Sequence, residues 1–481
     1  MALKTGTEYI ASIESLGLEA NIMGEKAGGL TGHPLVAPSL RAVAATYDCA
    51  HAEGSRALFR AYSPLIGGEV NRFTHLHQNT QDLMDKVRMQ RHCGNLTACC
   101  FQRCVGMDAA NAVFSTTYEC DIAHGTDYHQ RFREYWSLVQ REDLVVDGAM
   151  TDPKGDRGKR PSEQADPDLY LRVVERRRDG VVVRGAKFHQ TGMVNSHEII
   201  VMPTAAMRPG EEDWAICFAV PTNAKGIRHI YGRQTSDTRK LEGTLDVGNP
   251  SFGGQEVLTV FEDVFVPNER IFQNGETDQS GKLVERFAAY HRQSYGGCKV
   301  GVGDVLIGAA ALIARMNGVA GASHIRDKIV EMIHLNETLF ACGIACSTLG
   351  HPTAAGNYEV DLLLANVCKL NVTRFPYEIA RLATDIAGGL LGTLPSAKDL
   401  DDPLVGPYIQ KYLAAADGVD AVDRVKVLRL IENLVAGAGS VAYLIESMHG
   451  AGSPMAQRIM LARQGDLDGK IALAKRLLNI Q

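Results

Sequence analysis

Two changes of hydrophobic period divide the 481-residue chain. From about residue 7 to 140, apolar residues recur at helical spacing, with predicted helices over 40–62, 79–91, 96–118 and 127–140. Between Leu169 and about Phe272 the pattern turns into short β-type runs divided by turns: 169–176, 180–187, 198–203, 214–221, 226–230 and 255–267. Beyond Asp278 helical spacing returns over 282–317, 322–349, 358–386, 404–415, 421–447 and 454–478. The expected fold is α+β: an N-terminal helical domain (1–146), a central β domain (147–277) and a C-terminal helical bundle (278–481). The length agrees with division into two or three domains, because it exceeds a single ordinary core.

Charge and cysteine usage narrow the function classes. The 50 basic and 56 acidic residues are interspersed and give a net charge of −6, with no sustained basic stripe. A nucleic-acid partner is therefore not expected. The segment from Met1 to Glu8 lacks the apolar core of a signal peptide, and no run of about 18 apolar residues stands out as a bilayer span. The expected location is cytoplasmic, with no membrane partner. Eleven cysteines in that setting point to reduced thiols, some of them ligands, rather than to a disulfide framework.

The thiols are unevenly placed. In Tyr290-His291-Arg292-Gln293-Ser294-Tyr295-Gly296-Gly297-Cys298-Lys299, helical geometry of about 100° per residue brings His291, Tyr295 and Cys298 within roughly 60° of one another. In Cys99-Cys100-Phe101-Gln102-Arg103-Cys104, the same arithmetic puts Cys100 and Cys104 about 40° apart and turns Cys99 about 140° from Cys104. Cys100 and Cys104 are the expected pair. Gly94 and Asn95 place Cys93 ahead of that helix, and Met107 rules out a C-x3-C-x2-C triad. Three thiols and one imidazole from two distant segments could close a four-ligand site suited to zinc or an iron–sulfur cluster. Cysteines that merely fill a core show the same spacing, so spacing alone leaves both readings open.

Other stretches carry weaker signals. Met150-Thr151-Asp152-Pro153-Lys154-Gly155-Asp156-Arg157-Gly158-Lys159 is either a turn and solvated basic loop or a cradle of amides and cations for a pyrophosphate. His189-Gln190-Thr191-Gly192 follows a strand end, as a polar turn or as partners for a planar heteroaromatic ring. Glu256 enters an apolar run, either solvated at a sheet edge or buried in a cleft where its pKa would rise enough for proton transfer. The glycine-rich stretch 385–396 and Glu446-Ser447-Met448-His449-Gly450-Ala451-Gly452-Ser453-Pro454 offer close backbone approach and a carboxylate beside a mobile loop.

The order of helical domain, β domain and helical bundle looks like the acyl-CoA dehydrogenase fold. The motifs 150–159, 189–192, Gly253-Gly254-Gln255-Glu256 and 385–396 resemble the flavin-dependent family that contains 4-hydroxyphenylacetate 3-monooxygenase and 4-hydroxybutyryl-CoA dehydratase. Cys100-x3-Cys104 combined with His291-x6-Cys298 is similar to the dehydratase branch, and the resemblance runs over nearly the whole chain. It implies that Cys100, Cys104, His291 and Cys298 hold a 4Fe–4S cluster. It implies FAD against Met150, Thr151, Asp152, Lys154, Gly155, Arg157, His189, Gln190, Thr191, Asp385, Gly388 and Gly389. His291, Glu446, Glu256, Tyr295, Lys299 and Thr191 would be the catalytic residues.

The implied activity is radical dehydration of 4-hydroxybutyryl-CoA to crotonyl-CoA with vinylacetyl-CoA Δ-isomerase activity, on an acyl-CoA thioester, in a homotetramer. The alternative within the family is a two-component aromatic monooxygenase that uses reduced flavin and no metal.

Overall fold

The computed structural model describes residues 3–233, 242–243, 245–246, 251–416 and 418–481. Helix α1 (Gly6–Glu14) opens with a capping box, in which Thr5 Oγ1 accepts the Glu8 amide while the Glu8 carboxylate accepts the Thr5 amide. It packs on α2 (Ala37–Asp48). Between them β1 (Ala20–Ile22) and β2 (Glu25–Ala27) leave the helical region and extend the central sheet, so the first 146 residues are not wholly helical as expected. The helix predicted to reach residue 62 ends at Asp48. A turn, the short α3 (Arg56–Phe59) and a hairpin of β3 (Arg60–Ser63) and β4 (Gly68–Asn71) follow it.

Asn79 caps α4 (Thr80–Thr97), which leads to α5 (Cys104–His124) and α6 (Tyr128–Arg141). The helix predicted over 96–118 starts only at Cys104, and its first residues belong to the end of α4 and to a loop. Ala98 takes φ +49° and Gln102 φ +64°, left-handed conformations that stop α4 and hold residues 99–103 as a loop. Cys93, expected ahead of a helix, is buried inside α4.

The β region contains the six predicted strands and two more. Strands β5 (Val146–Ala149), β8 (Glu198–Val201), β9 (Ile216–Pro221) and β12 (Ile271–Asn274) form a sheet in the order β12-β9-β8-β5. Strands β6 (Arg172–Arg176), β7 (Gly180–Thr191), β10 (Ile227–Tyr231) and β11 (Glu256–Pro267) join the N-terminal pair in the order β2-β1-β10-β11-β7-β6. The sheets meet through alternate residues such as Val257, Phe261, Val264 and Val266 of β11, and Phe261 stands edge-on to Phe218 of β9. The β7–β11 register sets Glu256 opposite Thr191, and it leaves 189–191 inside the strand rather than after it.

The 40-residue α7 (Thr277–Met316) runs along α4, α5 and α8 (Ser323–Thr348). It approaches α4 closely because Gly297 and Gly301 face that helix. A Cβ at these positions would lie 2.4 Å from Val87 O and 2.2 Å from Arg91 O. By length and composition, α7 and α8 are apolar enough to cross a bilayer, contrary to the expectation that no such run exists. Small residues raise their mean hydropathy without a visible block of large ones, and 61% of the α7 window is buried, as in a core helix.

A β13 (His351–Pro352) and β14 (Tyr358–Glu359) hairpin precedes α9 (Leu362–Val372) and α10 (Phe375–Ala387). The helix predicted over 358–386 is split there, with Pro376 in the first turn of α10. Short α11 (Ala397–Asp401) and α12 (Gly406–Leu413) lead to α13 (Ala421–Val435). A single π-helical turn, Val441–Ile445, opens into α14 (Glu446–His449), so the helix predicted over 421–447 is not continuous. Asp466, at φ +44°, divides the last predicted helix into α15 (Pro454–Gln464) and α16 (Leu467–Leu478).

Candidate active site

Helix α7 presents the predicted face. The His291 and Tyr295 rings stand edge to face with centroids 5.2 Å apart, and Lys299 Nζ lies 5.1 Å from the Tyr295 centroid. The Cys100–Cys104 pairing survives on different grounds, because Cys100 lies in the 99–103 loop and only Cys104 is helical. Cys99 turns its thiol to the Cys100 carbonyl, 3.6 Å away. Burial, followed by the charges of Glu446 and Cys104, pushes the Cys100 thiol up. Burial and then Cys298 push Cys104 up, and burial pushes Cys298 up to about 11. Cys104 is buried and Cys100 and Cys298 are half-buried, and the three thiols lie close enough to interact with one another.

Among the described residues, no three His, Cys, Asp or Glu side chains converge on a point that would hold a single metal ion. A cluster whose irons each take one ligand imposes no such convergence. Three thiols unfavourable to ionise alone, one buried and two half-buried, are a donor set that a polynuclear cation would convert to thiolates. The residues therefore fit such a group. Gln102 fixes the loop by donating to the carbonyls of Cys100 at 3.2 Å and Gly253 at 3.1 Å, while its Oε1 accepts from Asn195 at 2.6 Å.

Opposite the thiols stand two carboxyl groups. Glu256 opens β11 and accepts the Thr191 hydroxyl at 2.5 Å, so the buried reading holds and the solvated one is excluded. Burial first, and then the charge and hydrogen bond of Glu446, raise the Glu256 carboxyl well above the usual range. Glu446 pairs with Lys299 at 2.5 Å. Burial opposes the Lys299 charge, but Glu446 and Cys298 outweigh it and raise its pKa. One carboxyl group is thus held neutral against another held in an ion pair. Behind them Asp147, fully buried, has its pKa pushed up to about 7 by burial.

The π-helical turn positions Glu446, and side chains from the bundle take its displaced carbonyls. Lys299 Nζ donates to Ala442 O, Tyr377 Oη to Leu444 O at 2.9 Å, and Lys369 Nζ to Ser447 O. Lys369 also stands 4.5 Å from the Tyr295 ring centroid, and burial with the nearby Lys299 and Arg292 lowers its pKa to about 7. The loop after α14, read from sequence as mobile, is anchored. Arg292 Nε and Gln457 Nε2 both donate to Ala451 O, at 3.1 Å and 3.3 Å.

The loop at 150–157 folds against the end of β7. Thr151 O accepts the Phe188 amide at 2.8 Å, and Lys187 Nζ donates to Met150 O at 2.9 Å. Asp152 is buried against Lys187 at 2.9 Å and accepts the Leu171 amide, so it orders the loop. Lys154 and His189 have φ +71° and +58°, and Gly155 has φ +48°. Burial, then His449, Lys154 and Arg157, lower the His189 pKa, which shows that cationic groups gather at this end of β7. Gln190 Nε2 donates to Phe188 O at 2.8 Å. Asp385, Gly388 and Gly389 lie elsewhere on the surface, with Asp385 paired to Lys328 at 2.6 Å. Among the described residues no hydrogen bond or ion pair joins them to the 150–157 loop.

Sequence reasoning missed Asp108, which receives His291 Nδ1 at 2.8 Å, and Lys86, Lys369 and Tyr377 behind the site. Only the i, i+4 spacing of Cys104 and Asp108 hinted at the first.

Comparison with known proteins gives this geometry a family. Models of the 4-hydroxyphenylacetate 3-hydroxylase N-terminal and C-terminal regions match residues 5–273 and 280–479. The chain is 58% identical to 4-hydroxybutyryl-CoA dehydratase/vinylacetyl-CoA-Δ-isomerase of Clostridium aminobutyricum, covering 100% of both chains. A solved oxygen-tolerant archaeal 4-hydroxybutyryl-CoA dehydratase from N. maritimus matches at TM-score 0.97 and 54% identity, covering 100% of this chain and 96% of that one. The oxygenase component of 4-hydroxyphenylacetate 3-monooxygenase complexed with FAD shares the fold at TM-score 0.85 and 24% identity, over 99% of this chain and 98% of that one. The chain belongs to the 4-hydroxyphenylacetate 3-hydroxylase family and, within it, to the group of the 4-hydroxybutyryl-CoA dehydratases.

Proposed function

We propose that this chain dehydrates 4-hydroxybutyryl-CoA to crotonyl-CoA and isomerises vinylacetyl-CoA, using FAD and a 4Fe–4S cluster. The observation that carries the reading is 58% identity, end to end, to an enzyme named for both reactions. The acyl-CoA dehydrogenase-like layout is supported by the observed order of helical, β and helical regions. Cys100, Cys104, Cys298 and His291 would hold the cluster. Met150, Thr151, Lys154, Gly155 and Arg157, with His189, Gln190 and Thr191, would face the flavin, as the fold shared with an FAD-bound relative supports.

The reaction is redox-neutral but awkward. Hydroxide leaves C4, one proton leaves each of C2 and C3, and one proton returns to C4 to make the methyl group of crotonyl-CoA; of these protons the thioester acidifies only the one on C2. Bound in the site, flavin would supply reversible one-electron oxidation and the cluster a Lewis acid for the departing hydroxyl.

The protein groups divide the proton work. Glu446, ion-paired with Lys299, would take the C2 proton. Glu256, held neutral by burial and hydrogen-bonded by Thr191, positions or protonates the leaving oxygen. Lys299 and Tyr295 would set the charge around that oxygen, and His291 would receive the C3 proton only in exchange for its bond to the metal, because Nδ1 is committed to Asp108 and the other nitrogen cannot hold both. Isomerisation, which moves the double bond from C3–C4 to C2–C3, needs only the proton transfers.

The chain would assemble as a homotetramer in the cytoplasm; the exposed apolar residues Leu467, Leu477, Leu478 and Ile480 in and after α16 are suited to packing against another copy of the chain. The deciding experiment is anaerobic purification, followed by flavin, iron and acid-labile sulfide analysis and assay of crotonyl-CoA formation. Protein with flavin but neither iron nor sulfide would instead be the aromatic monooxygenase. Substituting His291→Ala should abolish dehydration, and full turnover without the imidazole would remove it from the mechanism.

A further inference from the structure

We infer that Asp108 is a positioning residue for His291: its carboxylate accepts a hydrogen bond from Nδ1–H of the imidazole and so reserves Nε2 for the metal centre. The inference rests on the cluster reading above and adds a residue that the reading does not contain. Asp108 and Lys86 are both 0% exposed. Asp108 Oδ1 accepts Lys86 Nζ at 2.5 Å, and Oδ2 accepts His291 Nδ1 at 2.8 Å and Ser294 Oγ at 2.9 Å. A carboxylate only accepts, so a neutral His291 must carry its proton on Nδ1.

The surroundings fix every member of this set. Lys86 gives its other protons to Tyr290 O and Gln293 Oε1, both at 2.9 Å, and Gln293 Nε2 donates to Ser347 Oγ at 2.7 Å. The imidazole is pinned from both sides, by Phe287 stacked at 5.6 Å and by the edge-on Tyr295 at 5.2 Å. Asp108 lies one turn beyond Cys104 on α5, and His291 lies two turns before Cys298 on α7. Each helix therefore brings a thiol and one half of the hydrogen bond. A carboxylate bound to the far nitrogen of a ligating histidine orients the ring and raises its basicity.

The opposing account is that Asp108 only neutralises buried Lys86, and the two accounts differ at the imidazole. In Asp108→Asn, Lys86 demands the amide oxygen, which turns the NH2 group toward His291 Nδ1. The ring proton then moves to Nε2 and blocks the metal-facing nitrogen. In Asp108→Leu combined with Lys86→Met, no acceptor remains but the core stays apolar and uncharged, a replacement that buried ion pairs often tolerate.

Both variants and the wild type are prepared anaerobically with 15N-histidine. The readouts are iron and sulfide content, nitrogen hyperfine coupling to the reduced cluster by pulsed EPR, iron loss to a chelator, and circular dichroism. The expected result is clear coupling in the wild type, its loss in each folded variant, and ~10–100-fold faster iron loss. A folded double variant with unchanged coupling and unchanged iron loss would overturn the inference. Wild type without iron would instead overturn the cluster reading itself.

Discussion

Substituting Gly450→Ala tests how tightly the loop after α14 is seated on Tyr295. Gly450 has φ −60° and ψ 143°, a conformation open to any residue. On backbone grounds alone, alanine would stabilise the fold by ~0.4–1 kcal/mol through the unfolded chain. Its Cβ, however, would lie 1.8 Å from Tyr295 Oη, 2.8 Å from Glu446 O and 3.0 Å from Tyr295 Cζ. Tyr295 cannot give way, because Lys369 and Lys299 cover its ring and His291 abuts its edge. Overpacking of this kind costs ~1–3 kcal/mol. The net expectation is a loss of about 1–2 kcal/mol, a reversal of the backbone-only sign. Turnover should fall by ~10²-fold as Glu446 is displaced on the order of 1 Å. Tyr295→Phe removes the closest atom, so the double variant should recover ~1 kcal/mol relative to additivity. Chemical denaturation of the four proteins of this cycle measures the coupling. Equal or greater stability of the single alanine variant, or strict additivity, would refute the reasoning.

Three further outcomes are expected. Lys187→Met strands Asp152, whose partner is 2.9 Å away and equally buried. A loss of ~3–5 kcal/mol and weaker flavin retention are expected, measured by denaturation and by flavin content after gel filtration. Burial drives the His197 pKa down to about 3, with Val145 N donating to its Nδ1 at 3.0 Å. The unfolded chain therefore takes up a proton that the fold refuses, and stability falls as pH drops from about 6.5 towards 3, by at most ~5 kcal/mol. The wild-type stability curve should be steeper across that window than that of His197→Gln, and parallel curves would contradict the assignment. Glu446→Gln should suppress exchange of the substrate C2 hydrogen into deuterated solvent, followed by mass spectrometry; undiminished exchange means another base.

Much of this site was legible where a single regular element carries it. His291, Tyr295 and Cys298 share a long uninterrupted helix, so a fixed angle per residue was enough to place them on one face. The same arithmetic reached Cys100 and Cys104 although the helix begins only at Cys104 and Cys100 lies in the loop before it. The stops at Ala98 and Gln102 are left-handed residues without glycine or proline to announce them. Glu256 was recognisable as a candidate, but its burial depends on the β7–β11 register, a pairing across 65 residues that no local pattern encodes. Asp108 was invisible for a related reason. Within α5 it is one polar residue among small ones, and its meaning comes from Lys86 and His291 on two other helices.

Among the described residues four lysines are buried, Lys86, Lys187, Lys299 and Lys369, none more than 3% exposed. Removing an ammonium group from water costs several kcal/mol, so a sequence that only needed to fold would place Leu or Met at such positions. Each of the four instead donates to an atom in or beside the candidate site. Lys86 holds the carboxylate on His291, Lys187 the carbonyl of Met150, Lys299 the Glu446 carboxylate, and Lys369 the carbonyl beside that glutamate. The shared arrangement is a flexible stem ending in several donors, able to satisfy irregular backbone and a carboxylate together. Rigidity in this site therefore comes less from apolar packing than from buried cations. Replacing such a lysine together with its acidic partner by well-fitting hydrophobic residues should preserve the fold more readily than the geometry of the site.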